Sequence, residues 1–408
     1  MNISFVGLGK LGLPLACCLA QSGNRVLGVD KNEYVLDTLN EGKLPFYEPG
    51  LDKIFPNVNF IGFTDSYQRA IDETDATVIL VNTQLGDNGY SSEFVEDVLT
   101  DLAMNLRKSV KEKHLIVLSS TVLPGTIKKL IKLVEKISKR KYGEGFGFSY
   151  VPDFVKLGNV IEDFKNPEFF LVGANNVDDI VNTQSIWYRF HQNEPPKKIL
   201  TLEEAEIAKV ALNAYIVNKI TFANFLGQLC EGIENVTVHN ITKTIGIDRR
   251  ISPYFFGYGT PYGGTCFPRD TSAFIKFAKD RKKTAKNLIF AEEVNEMVYN
   301  NMLNKVKPHS NVGILGVSFK QNSPVVIGSP SYRLINDLIG MGIKINVYDD
   351  IPQTFDNLEC CEVSIHESPQ SCIDNSDIVL IMHPNKKFSE CDYGNKIVVD
   401  NWGILNRA

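Results

Sequence analysis

The chain opens with an apolar, β-rich run, Ile3–Gly7, and passes at once into Gly7-Leu8-Gly9-Lys10-Leu11-Gly12. A strand turning into a helix over three glycines has a physical purpose. One glycine permits the tight turn, one lets a phosphate approach the backbone, and one lets the helix pack closely. The amino terminus of the new helix then favours the phosphate charge. About 20 residues on, the run Arg25–Asp30 ends in a carboxylate that suits the hydroxyls of an adenosine ribose. An acid there repels a 2′-phosphate, so the expected cofactor is NAD rather than NADP, bound by Gly7, Gly9, Leu11, Gly12 and Asp30. Lys31, next in sequence, points the other way.

Further β-rich runs follow at Ala76–Val81, Leu115–Ser119, Phe148–Val151 and Phe169–Val172, separated by helical patterns. This alternation reads as βαβ units on a parallel sheet. Gln192–Lys198, with two prolines, reads as a boundary loop. Thr201-Leu202-Glu203-Glu204 is a capping box and opens a long helix through about Glu231, with helical sequence continuing to about Ile245. After Lys307–Ser310 come strand patterns at Asn311–Ser318, Lys344–Tyr348, Asp377–Met382 and Lys396–Asp400. The expected fold is α/β: two Rossmann-like, doubly wound parallel-sheet domains joined by a central helical domain with a long helix. The expected divisions are 1–197, 198–305 and 306–408.

A chain of 408 residues exceeds one ordinary core. Its 43% hydrophobic and 22% charged residues and net charge of -5 describe a globular protein without general affinity for nucleic acid or an anionic membrane. No basic leader or membrane-length apolar run is visible, and the expected location is the cytoplasm. The lysine-rich stretches Lys139–Lys141 and Lys279–Lys286 mix with acids and lack aromatic partners, as solvated helix faces do. The eight cysteines, Cys17, Cys18, Cys230, Cys266, Cys360, Cys361, Cys372 and Cys391, form no CxxC pair, and the six histidines no ligand cluster. Disulfides and a metal site are not expected.

One cysteine stands apart. Cys266 lies in Gly263-Gly264-Thr265-Cys266-Phe267-Pro268-Arg269-Asp270, after two glycines that let backbone come close to a reacting group. Arg269 and Asp270 supply charges that favour the thiolate or handle a proton. Lys209 and Asn213 lie four apart on the expected long helix, hence on one face, where both can stabilise an alkoxide.

With Gly7–Gly12, Tyr47-Glu48-Pro49-Gly50-Leu51 and the cysteine segment in view, the chain resembles the UDP-glucose/GDP-mannose dehydrogenase family, most nearly its UDP-glucose 6-dehydrogenase branch. The segments Ser120–Gly125, Pro152-Asp153-Phe154, Glu162-Asp163-Phe164 and Lys209 with Asn213 extend the likeness along the chain. The resemblance implies oxidation of a sugar 6-hydroxyl to a carboxylate in two NAD-dependent steps, through aldehyde, thiohemiacetal and thioester, with UDP-glucose to UDP-glucuronate as the leading reaction. It implies Cys266 as nucleophile, Lys209 and Asn213 as alkoxide stabilisers, and Asp270 with Thr121 as the pair that handles water. Thr83 and Thr121 fall on the cofactor side, and Tyr215, Phe255, Gly263 and Lys320 contact the nucleotide sugar.

The resemblance also implies a homodimer built on the long helix, with Arg250 reaching the neighbouring subunit's substrate; Arg249 competes for that role. Tyr215 is equally a core or interface aromatic. Asp153 stands where the family has a glutamate that assists thioester hydrolysis, and a second reading makes it a loop cap. Other positions depart from the pattern. Ile327-Gly328-Ser329-Pro330 replaces Arg-Glu-Ser-Pro, Asp400-Asn401-Trp402 replaces Asp-x-Arg, Leu157 replaces a glutamate, and Asn82-Thr83-Gln84 replaces a Thr-Pro-Thr-like loop. Each lost charge-assisted contact is worth about 1.5–3 kcal/mol. Another nucleotide sugar (a UDP-N-acetylhexosamine or GDP-mannose), a two-electron hydroxyacid dehydrogenase and a catalytically weak nucleotide-sugar-binding paralogue are the rival readings.

Overall fold

The computed structural model describes residues 1–83, 85–86, 89–155, 158–356, 358 and 362–405. Leu157, Gln84, Cys360 and Cys361, named above, lie outside the described residues. The chain divides into two compact units, Met1–Ala211 and Leu212–Ala408.

The first unit contains β1 (Asn2–Val6), β2 (Arg25–Val29), β3 (Phe60–Thr64), β4 (Ala76–Ile79), a short hairpin of β5 (Leu85–Gly86) and β6 (Gly89–Tyr90), β7 (Leu115–Leu118), β8 (Gly147–Tyr150), β9 (Phe170–Gly173) and β10 (Lys197–Leu200). Eight of these form one sheet in the order β10-β9-β8-β7-β4-β1-β2-β3. Its pairs are parallel except β8 with β9, which meet antiparallel at Tyr150 and Gly173. Strand residues alternate between two cores. Ile3, Phe5, Val26, Val78 and Val117 enter one, while Leu27, Val29, Ile79, Ile116 and Leu118 enter the other. A sheet buried on both faces explains why the strands read as unbroken apolar runs.

Two edge strands of this sheet differ from the sequence reading. Lys197–Leu200, part of which reads as boundary loop, pairs in parallel with β9, Lys197 opposite Phe170. Its residues are mostly exposed, and Pro195-Pro196 introduce it, so its polarity hides a strand that uses only one edge. Phe60–Thr64, at the opposite edge, gives no clear strand signal because it is only half-buried throughout.

The capping box forms as expected. The Thr201 N–H donates to Glu204 Oε2 at 2.9 Å and the Glu204 N–H donates to Thr201 Oγ1 at 3.2 Å. The long helix it opens, Leu202–Cys230, runs through the division between the units.

In the second unit, helices Val238–Gly246, Phe267–Asp280 and Lys286–Val306 precede β11 (Asn311–Leu315), β12 (Lys344–Tyr348), β13 (Val363–Ile365), β14 (Ile378–Ile381) and β15 (Ile397–Val399). These strands form a parallel sheet in the order β13-β12-β11-β14-β15. Val294, Val298, Met302 and Val306 of the last helix share a core with Val312, Ile314 and Val347 of that sheet.

The two sheets repeat one turn. Gly7 and Gly316 both adopt a φ of 97°, a conformation that favours glycine. Their N–H groups donate to the ends of the neighbouring strands, at Val29 (2.9 Å) and Tyr348 (2.8 Å). The next amides, Leu8 and Val317, donate to Asp30 at 2.7 Å and Asp349 at 2.8 Å. The repeat ends one residue later. A Cβ on Gly9 would have no atom within 4 Å, whereas its counterpart Ser318 is buried and commits its N–H to Asp349 at 3.1 Å.

Candidate active site

In the first sheet the strand order reverses beside β1, and its crevice opens at the carboxyl ends of β1 and β4, where α/β folds bind ligands. A Cβ on Gly7 would lie 2.3 Å from the Leu80 carbonyl oxygen, and one on Gly12 would lie 1.8 Å from the Gly7 carbonyl oxygen, so neither position admits a side chain. Open space at Gly9 leaves room for a phosphate. Helix Gly12–Gln21 begins without a side-chain cap at Leu11 and without an acid in its first turn; the Leu13 N–H donates to the Gly9 carbonyl at 3.0 Å and Pro14 has none, so the positive end of the helix rather than a row of free amides is what favours an anion here. The Asp30 carboxylate accepts from Leu8 and Asn32 N–H groups, which fixes its direction. A carboxylate has further lone pairs for ribose hydroxyls. Lys31 lies with Nζ 4.6 Å from the Phe94 ring centroid. These residues fit NAD, which supplies a hydride acceptor when bound.

Two loops at the carboxyl ends of β7 and β8 carry Thr121 and Asp153. Thr121 and Thr83 are both buried. Ser120 steadies the first loop by exchanging hydrogen bonds with the Val81 backbone, both at 2.8 Å. At the second loop, the Lys209 ammonium donates to the Asp153 carbonyl oxygen and lies 4.8 Å from the centroid of the Phe154 ring. Lys209, expected from the sequence to stabilise an alkoxide, is in the structure a grip on backbone. Glu48, in the segment Tyr47–Leu51, is also buried, and its carboxylate accepts from Gly158 (3.3 Å) and Val160 (3.0 Å). It thereby caps helix Val160–Lys165, which has no side-chain cap of its own.

The second unit carries the sulfur. Cys266 is the exposed member of the described cysteines and immediately precedes helix Phe267–Asp280. Thr265 Oγ1 lies 3.6 Å from its Sγ. Cys17, Cys18 and Cys372 are buried instead, and desolvation pushes the Cys18 thiol up to about 11 and Cys372 up to about 12. One turn into the helix, the Asp270 N–H donates to the Cys266 carbonyl at 2.8 Å. The Asp270 side chain is fully buried and accepts from Asn213 Nδ2 at 2.5 Å, with Arg269 Nε at 3.4 Å from its other oxygen. Burial pushes its carboxyl up to about 8.

The two glycines before Cys266 also serve close packing, which the sequence reading does not include. They bring backbone against backbone: a Cβ on Gly263 would lie 2.2 Å from the Gly328 carbonyl oxygen, and the Gly264 N–H donates to that same oxygen at 2.9 Å. Gly264 has a φ of 78°, and a Cβ there would lie 2.5 Å from the Phe319 ring. The cysteine loop is thus braced by the segments Gly316–Lys320 and Ile327–Pro330.

The expected substrate contacts are scattered in character. Arg250 is exposed and forms a two-pronged pair with Asp248 in its own turn, Nη2 at 2.6 Å. Tyr215 is 65% exposed, and Phe255, with a φ of 57°, stands edge-on to Phe267. Lys320 is partly buried on the loop after β11, and its carbonyl accepts from the Ser318 hydroxyl. Among the described residues, no group of three His, Cys, Asp or Glu side chains could hold a metal ion, and no helix is long and apolar enough to cross a membrane.

Comparison with known proteins places this geometry. Residues 1–191 match the NAD binding domain of the UDP-glucose/GDP-mannose dehydrogenase family, 203–297 its central domain and 313–407 its UDP binding domain. The GDP-mannose 6-dehydrogenase of Pseudomonas putida is 30% identical across 100% of this chain and 97% of its own length. The chain belongs to the UDP-glucose/GDP-mannose dehydrogenase family. It is therefore an NAD-dependent oxidoreductase of nucleotide sugars. A UDP-glucose 6-dehydrogenase of Haloferax volcanii is 28% identical over 100% of this chain and 98% of the relative. The solved UDP-glucose dehydrogenase of Pyrobaculum islandicum superposes with a TM-score of 0.91 at 29% identity, covering 98% of this chain and 94% of that one.

Family membership gives the departures a structural setting. Ile327, in place of an arginine, is 69% exposed, while Ser329 beside it caps helix Pro330–Ile339 through the Tyr332 N–H. Trp402, in place of another arginine, donates its indole N–H to the Met382 carbonyl at 3.0 Å. Its ring lies so close to Gly259 that a Cβ there would fall 2.7 Å away. Glu206, on the long helix three residues before Lys209, is a buried carboxylate that the sequence reading omits, although an acid among alanines and isoleucine is the available signal.

Proposed function

We propose that the protein oxidises the 6-hydroxyl of a nucleotide-diphospho-sugar to a carboxylate by four electrons, with UDP-glucose to UDP-glucuronate as the leading reaction. The observation that carries the proposal is Cys266, exposed at the head of a helix whose next turn holds the buried Asp270, itself bonded to Asn213. The alcohol loses a hydride and a proton to become an aldehyde. Cys266 sulfur adds to that carbon, and the carbonyl π pair becomes the thiohemiacetal oxygen, which Lys209 and Asn213 steady. Loss of a second hydride and the hydroxyl proton gives a thioester. Water then adds, the C–S bond breaks, and carboxylate and thiol are released. Asp270, largely neutral at neutral pH, and Thr121 position and activate the water in this reading, and Asp153 assists the hydrolysis.

Lys320, Tyr215, Phe255 and Gly263 contact the nucleotide sugar in this reading, within a chain organised as 1–197, 198–305 and 306–408. A homodimer in which Arg250 serves the neighbouring subunit, working in the cytoplasm, completes it. Apolar side chains exposed in the central region, Phe222, Leu229, Ile233, Ile247 and Tyr254 among them, favour a partner copy. The 30% identity to a GDP-mannose 6-dehydrogenase favours GDP-mannose as the second substrate. NADH yield with a panel of UDP- and GDP-sugars, N-acetylated hexosamines included, decides between them. The expected result is two NADH per product and loss of acid formation in Cys266→Ser; one NADH per product, or undiminished turnover of that variant, overturns the covalent route.

A further inference from the structure

Glu206, three residues before Lys209 on the long helix, is 0% exposed. Its carboxylate oxygens accept from the Gly125 N–H at 2.8 Å and the Ile127 N–H at 2.7 Å. Those amides begin helix Thr126–Ser138, which has no cap of its own because Gly125 at its N-cap lacks a side chain. A serine or aspartate at that position caps such a helix locally. Here the cap arrives from 79 residues away in sequence and is costly to bury. Desolvation pushes the Glu206 carboxyl up to about 7 even though the amides of Ile127 and Gly125 pull it down.

The remote cap does something that a local one does not. It ties the loop after β7, which carries Thr121, to the long helix. One turn further along that helix, Lys209 holds the Asp153 carbonyl in the loop after β8. Residues three apart share a helix face, so one face grips both loops. We infer that Glu206 is a positioning residue that sets the Thr121 loop for the reaction, with Lys209 its counterpart at Asp153. The inference rests on the proposed role of Thr121.

A double-mutant cycle tests it, with the parent, Glu206→Gln, Thr121→Ala and the double variant. Glutamine is neutral and nearly isosteric, and a carboxyl already driven toward neutrality makes the exchange compatible with folding. Loop displacement of about 1 Å costs roughly a hundredfold in rate. The expected result is a fall in kcat for NADH formation of about tenfold to a hundredfold in Glu206→Gln, shrinking to less than about twofold when Thr121 is already alanine. The unfolding temperature is expected to shift equally in both backgrounds, since one of the two cap acceptors is lost in each.

An undiminished kcat in Glu206→Gln, full multiplication of the two effects, or a Thr121→Ala enzyme as fast as the parent overturns the inference while leaving the proposed function intact. A parent that forms no NADH from any nucleotide sugar overturns both.

Discussion

The Asn213 side-chain amide donates to the Asp270 carboxyl at 2.5 Å, and the Asp270 backbone N–H closes on the Cys266 carbonyl at 2.8 Å. The buried carboxyl and the exposed thiol are therefore held by one helical turn, whatever each does in the reaction proposed above. Because burial holds Asp270 neutral up to about pH 8, while an aspartate in the unfolded chain ionises near about 4, its contribution to stability has a defined sign. It is full below about pH 4 and is lost as pH rises toward 8. Asp270→Asn cannot ionise, so its unfolding temperature is expected to fall less between pH 5 and 8 than that of the parent. Its NADH rate is expected to drop about a hundredfold or more. Thermal unfolding across pH, beside initial rates, checks both; parallel pH dependences would count against a buried neutral carboxyl.

Gly264→Ala places a methyl 2.5 Å from the Phe319 ring at a φ of 78°, two residues before the reactive sulfur. A loss of about 1–3 kcal/mol is expected from overpacking and strain. Cys266 moves with its loop, so its rate of labelling by a soluble thiol reagent changes alongside the NADH rate. Labelling kinetics and denaturant unfolding measure the two effects separately.

Removal of the Glu48 carboxylate leaves the Gly158 and Val160 amides without their acceptor. Glu48→Ala is expected to cost about 1–2 kcal/mol, as loss of a helix cap does. Amide hydrogen exchange should accelerate at Val160 and Ile161 and remain slow in helix Gly12–Gln21. Uniform acceleration throughout the first unit would show a general loss of stability instead.

If Arg250 serves a neighbouring subunit, two inactive variants complement each other. In a dimer of Arg250→Ala with Cys266→Ser, one site has an intact sulfur and receives an intact arginine from its partner. Random exchange of subunits gives roughly a quarter of parent activity from the mixture. Persistent inactivity after exchange, confirmed by differently tagged chains, would place Arg250 within its own subunit's function or outside the reaction.

Much of the candidate site is legible in the sequence because its chemistry depends on short local patterns. Gly7–Gly12 with Asp30 is a local device, as is the capping box Thr201–Glu204, and both form where the sequence places them. Strands buried on both faces are readable from their apolar runs. Strands β3, β10 and β13 are not, because an edge strand with polar, exposed or half-buried residues leaves no periodic trace. Glu48 and Glu206 also hide their roles. A carboxylate that caps a helix 79 residues away has the same sequence appearance as a solvated acid.

The sequence by itself determined the family, the cofactor turn and which groups are candidates for the chemistry, since thiol, carboxyl and glycine carry their chemistry and conformational range wherever they stand. Only the tertiary structure decided that Asp270 is neutral, that Gly263 and Gly264 press against Gly328 and Phe319, and that Lys209 and Glu206 brace loops. Desolvation and close packing are properties of what surrounds a residue, and that environment exists only once distant segments have met.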